Sequence, residues 1–148
     1  METMKTRSRS AFTLIEVLIV VVIMAVLAAT IIPQFSSSTE DAKESSLKFN
    51  MHTLRSQIEL YKVHHLGDYP TIQSDSLPQL TSKTNVKGET GTGTGYPYGP
   101  YLDGELPKNP FNDSNAVTAG TGTAEVTGGA GWQYDVNTGG IWPNHPEW

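Results

Sequence analysis

One stretch limits what this chain can be. Residues 12–32 (FTLIEVLIVVVIMAVLAATII) run for 21 positions with a single charge, Glu16. As a helix, a segment of that length spans about 31 Å, the thickness of a bilayer's hydrocarbon core. Val and Ile weakly disfavour helix in water. In lipid the backbone must satisfy itself within its own segment, so a helix is the expected state.

The flanks orient this segment. Residues 1–11 carry Lys5, Arg7 and Arg9 against Glu2, a net +2. The remainder carries seven basic and fourteen acidic residues, a net −7, which makes −5 for the chain. A basic flank marks the cytoplasmic side of an apolar span. The acidic remainder is a poor match to a phosphate backbone, so no nucleic acid partner is indicated. The chain has no cysteine, which removes disulfide staples and thiolate metal sites.

Pro33 follows the span. Its missing N–H predicts a kink or a local opening. Ser37 with Glu40 fits a capping box able to restart a helix. Beyond it Leu47, Met51, Leu54, Ile58, Tyr61 and His65 recur at steps of four and three. That spacing predicts one buried helix face as far as about Leu66, stopped by Gly67 and Pro70. Ser76-Leu77-Pro78-Gln79-Leu80 suggests a short helical turn. Thirteen of the fourteen glycines fall from Gly88 onward, so that part of the chain is rich in turns. Within it Trp132-Gln133-Tyr134-Asp135-Val136 alternates like a strand, Asn137 to Gly140 reads as a turn, and Ile141-Trp142 as the returning strand. The expected fold class is α+β: a long N-terminal helix, transmembrane and then amphipathic, packed on a small antiparallel sheet. The expected divisions are 1–11 as a leader, 12–32 as the membrane and assembly helix, 33–66 as its amphipathic continuation, and 67–148 as loops and sheet.

Arg9-Ser10-Ala11-Phe12-Thr13-Leu14-Ile15-Glu16, leading into the apolar run, resembles type IV prepilins and type II secretion pseudopilins. The resemblance implies the pilin-like fold and cleavage between Ala11 and Phe12 by a membrane-embedded prepilin peptidase, with N-methylation of the new terminal Phe12. Alanine stands at the cut where the family usually has glycine. Pro33 lies 21 places after Phe12, where the family commonly has proline. Leu60-Tyr61-Lys62, Gly67-Asp68-Tyr69-Pro70 and Leu106-Pro107-Lys108-Asn109-Pro110-Phe111 extend the likeness to major pseudopilins.

A carboxylate inside a span costs about 2.5–3.5 kcal/mol on insertion scales. Cleavage would create a partner for it, the ammonium of Phe12, about one helical turn from Glu16. The resemblance implies that Phe12, Thr13 and Glu16 mediate assembly, with the Glu16–ammonium pair setting subunit register in a helical homopolymer. It also implies an inner-membrane assembly platform and ATPase as partners, with the C-terminal region in the periplasm.

The function expected is that of a non-enzymatic pseudopilus subunit in type II protein secretion. The alternatives are a type IV pilin, used for adhesion, motility or DNA uptake, and a signal-anchored exported binding domain. Major pseudopilins often bind calcium through clustered carboxylates in a C-terminal loop. The matching loop here, 116–131, holds only Glu125, with Asp113 and Asp135 outside it, whereas calcium takes about six to eight oxygens. The expectation is therefore no cofactor and no metal, with calcium held through backbone carbonyls of the Gly-rich loop as the alternative. His64 and His65 are adjacent and cannot form an i, i+4 zinc pair. Gly91-Thr92-Gly93-Thr94-Gly95 lacks the Lys-Ser/Thr of a phosphate loop. Asn112-Asp113-Ser114 has the form of a glycosylation sequon. Trp132, Trp142 and Trp148 are expected to anchor the sheet and core; the alternative is an exposed aromatic patch for a neighbouring subunit or cargo.

Overall fold

A computed structural model describes residues 12–123 and 128–146; for residues 32–37 it describes the backbone alone. Residues 1–11, expected as a leader, and Glu125 and Trp148 lie outside the described residues. The chain divides into two compact units, Met1–Glu40 and Asp41–Trp148.

Helix α1 covers Leu14–His64. Backbone at Pro33 and at 36–41 is helical, so the helix does not restart at Ser37. A proline deletes one hydrogen bond and leaves the turns on either side to carry the helix. At the far end Gly67 (φ 99°) donates its N–H to the Lys62 carbonyl at 3.0 Å, a cap that the left-handed glycine makes sterically easy.

In the second unit the expected helix stripe is the core. Leu47, Leu54, Ile58, Tyr61 and His65 are buried and Met51 packs against them. Each large aliphatic side chain fully buried there contributes about 1.5–3 kcal/mol. Opposite lie Leu77 and Leu80, the latter on α2 (Pro78–Thr81), together with Leu106 and the sheet residues Val117, Trp132, Tyr134 and Ile141.

The sheet has three short strands, β1 (Val117–Ala119), β2 (Trp132–Tyr134) and β3 (Ile141–Pro143), in the order β1-β2-β3. The hairpin β2–β3 is antiparallel with Gln133 opposite Trp142, as the alternation predicts. β1 was not expected, and it pairs with β2 in parallel, so the sheet is mixed, not purely antiparallel. The reason lies in the loop after β1. It is long enough to carry the chain back to the starting end of the sheet before β2 begins, which a tight hairpin turn could not do.

Polar tips of two buried aromatic side chains and of exposed Arg55 tie the layers together. Trp132 Nε1 donates to the Pro107 carbonyl at 2.8 Å, and the Tyr134 hydroxyl to the Pro70 carbonyl at 2.9 Å. The Arg55 guanidinium donates to the Ile141 carbonyl, at 3.1 Å from Nη2.

Candidate functional site

The first unit presents apolar side chains on every side. Leu14, Ile15, Leu18, Val21, Met24 and Leu27 are all exposed. A helix that is hydrophobic all round has no solvated face and belongs in lipid or among other helices. Leu14–Ile31 is long and apolar enough to cross a membrane.

At its start stands a closed polar unit. Thr13 precedes the first helical residue, and Glu16 is the third residue of the helix. The Glu16 carboxylate accepts from the Thr13 backbone N–H at 2.8 Å and from the Thr13 hydroxyl at 2.7 Å. In return, the Glu16 backbone N–H donates to Thr13 Oγ1 at 3.3 Å. This is a reciprocal capping box, which satisfies two N–H groups that a helix start leaves without partners. A carboxylate in the first turn also meets the positive end of the helix dipole. Phe12, just ahead, is 85% exposed. The structure thus brings Thr13 and Glu16 together. Ala11 lies outside the described residues, and the side chain of Pro33 is not described.

The residues weighed for other chemistry have structural partners. His65 is buried, with Nδ1 at 2.7 Å from the Tyr61 carbonyl and Nε2 at 3.0 Å from Thr84 Oγ1, and its ring stacks on Tyr61. His64 Nδ1 lies 3.0 Å from the Tyr101 hydroxyl. The Asn112 side chain donates to the Ala130 carbonyl at 2.9 Å and accepts from Ser114 N–H at 3.2 Å, so the sequon amide is engaged. Trp132 is a core residue, and Trp142 is half-buried.

Among the described residues the donor set does not fit calcium. Asp135 spends its carboxylate on its own turn, accepting from Asn137 N–H at 2.9 Å and the Thr138 hydroxyl at 2.8 Å. Those bonds hold its carboxyl below the usual carboxylate range. Asp113 pairs with Lys108 at 3.3 Å. Among the described residues no three carboxylate or histidine side chains gather as a metal site would require.

Sequence comparison gives two family matches. Residues 6–32 match the prokaryotic N-terminal methylation motif, and residues 34–138 match type II secretion system (T2SS), protein G. The chain is similar to type II secretion system core protein G of Pseudomonas aeruginosa, with 35% identity over 109 residues, 74% of this chain and 70% of the relative. The protein of the same name from Vibrio cholerae is 31% identical over 124 residues, 82% of this chain and 80% of the relative. That from Klebsiella michiganensis is 30% identical over 118 residues, 79% of each chain. No solved structure matches the chain.

Proposed function

This chain belongs to the type II secretion system protein G family, and on that basis we propose that it is a membrane-anchored structural subunit of the pseudopilus, not an enzyme. Residues 1–11 are its leader. Prepilin peptidase cuts between Ala11 and Phe12 and methylates the Phe12 amine. Until assembly the helix holds the subunit in the inner membrane, with residues from Pro33 onward on the periplasmic side. An assembly platform and ATPase then extrude it into a helical homopolymer. The protein G match over residues 34–138 favours this reading over a type IV pilin or a signal-anchored exported domain.

One observation carries the reading at residue level: the sole acid of the span sits in the capping box with Thr13. Two contacts to Thr13 leave the carboxylate with acceptor capacity, since an ionised carboxylate has about four lone-pair sites. The ammonium made by cleavage at Phe12 uses that capacity. In the filament the ammonium of an axially displaced neighbour does so, and the pair sets register. Association between apolar helices in lipid depends on such polar contacts and on packing, each polar contact giving about 1–2 kcal/mol in model peptides.

The test is Glu16→Ala, read by membrane fractionation and by the yield of sheared filaments. Normal insertion with filament yield down by about tenfold or more is expected, since about 1.4 kcal/mol per contact is a factor of ten. Wild-type yield would remove the pairing mechanism.

A further inference from the structure

Four carboxamides converge where the loop between β1 and β2 ends. Asn109, Gln133 and Asn144 are 0%, 2% and 3% exposed. The Ala130 carbonyl accepts from Asn112 Nδ2 at 2.9 Å and from Asn144 Nδ2 at 3.0 Å. The next carbonyl, Gly131, accepts from Asn109 Nδ2 at 3.0 Å and from Asn144 backbone N–H at 2.9 Å. Gln133 reaches in from β2. Its Nε2 donates to Asn144 Oδ1 at 3.0 Å, and its Oε1 accepts from Gly122 N–H at 3.1 Å, inside the loop.

We propose that this carboxamide cluster is a metal-independent clamp, which ties Gly122 to the Ala130–Gly131 end of the segment between β1 and β2 where the resemblance to major pseudopilins implies calcium. A peptide carbonyl has two lone pairs. At Ala130 and at Gly131 both are occupied by N–H donors, so neither oxygen is free to coordinate a cation. The groups aimed at the two oxygens are amide N–H dipoles, positive end inward, and they repel a cation brought to the same place. Neutral amides also avoid the cost of gathering carboxylates in a partly buried site, a cost that an ion otherwise offsets. Carboxamides do not titrate in the range where proteins fold, so the clamp is indifferent to pH as well as to divalent ions. The tie between Gly122 and the Ala130–Gly131 end therefore forms in any compartment, whether or not the subunit goes on to assemble.

The experiment uses the full chain in detergent, with calcium chloride as the probe. The thermal midpoint and the hydrogen exchange of the Gly122 amide are measured in millimolar calcium and in excess chelator. The clamp predicts the same midpoint and the same protection in both. A midpoint raised by calcium or lowered by chelator overturns it. Asn144→Ala removes donors from the Ala130 carbonyl and an acceptor from Gln133, and is expected to speed Gly122 exchange by about tenfold or more through local opening. Asn115→Ala, which removes an exposed contact to Glu105, leaves that exchange unchanged. Should Asn144→Ala fail to fold, the comparison of calcium with chelator on the unaltered chain decides alone. Unchanged Gly122 protection in a folded Asn144→Ala chain also overturns the clamp.

Discussion

The Thr13 hydroxyl and the Glu16 carboxylate lie 2.7 Å apart, and the same carboxylate oxygen takes the Thr13 backbone N–H. Glu16 is thus part of the helix start, and it is already hydrogen-bonded before any second subunit is present. Both contacts come from residue 13, so the pair survives a cut between Ala11 and Phe12.

Removing the hydroxyl separates the two roles of Glu16. Thr13→Ala deletes one contact to the carboxylate and the cap on the Glu16 N–H. It is expected to destabilise the helix start by about 0.5–2 kcal/mol. Thr13→Ser keeps the hydroxyl and should be close to the wild type. Exchange of the Glu16 and Val17 amides in detergent micelles measures the difference. Equal protection in Thr13→Ala and the wild type contradicts the capping role.

Pro33 lies inside α1, where it cannot donate to the carbonyl of Ala29, four residues back. Pro33→Ala restores that donor and changes no charge. The expected result is filament yield within a few-fold of wild type, well above that of Glu16→Ala. A defect as severe as that of Glu16→Ala would reverse the ranking of charge over curvature.

Two buried tyrosines make the second unit sensitive to alkali. Burial first, then neighbouring Tyr101 and Asp68, pushes the Tyr61 hydroxyl up to about 12. Burial also raises Tyr134, whose hydroxyl must stay protonated to donate to the Pro70 carbonyl. In the unfolded chain both ionise near pH 10. Above that pH the unfolded state binds fewer protons than the folded one, so stability falls as pH rises. The loss runs from about pH 10 through the folded value of Tyr61 near 12. Thermal midpoints across that range should drop steadily, and a flat profile contradicts the assignment. At neutral pH Tyr134→Phe leaves the buried Pro70 carbonyl without its partner and should lose about 1–3 kcal/mol.

Gly131 sits where a side chain has no room. A Cβ built there would collide with the Ser114 carbonyl, a backbone atom that cannot swing aside. Gly131→Ala is expected to cost about 1–3 kcal/mol by overpacking, read as a lowered denaturation midpoint. An unchanged midpoint would contradict the close approach of the Ser114 carbonyl to Gly131.

Much of this was legible in the residues because it depends on period and length. The apolar run, the stripe from Leu47 to His65 and the hairpin of β2 with β3 are local patterns. The capping box was legible too, since Thr13-Leu14-Ile15-Glu16 has the required spacing. The surrounding apolar run marks Glu16 first as a charge in lipid, and the capping pattern is the more obvious at Ser37 and Glu40, where the helix needs no new start. β1 could not be read. Val117-Thr118-Ala119 is too short for a periodic signal, and its parallel pairing depends on the path of the loop that follows. The carboxamide clamp draws on residues 109, 112, 133 and 144, and only folding reveals their convergence.

The central claim is that Phe12 becomes a chain terminus whose ammonium answers Glu16. The most direct measurement is the intact mass and N-terminal sequence of the chain recovered from membranes of cells that carry the prepilin peptidase. A mature chain that begins at Phe12 and carries one added methyl group is expected. A chain that keeps Met1, or one that begins near Ala29 or Thr30 after cleavage by a general signal peptidase, would contradict it.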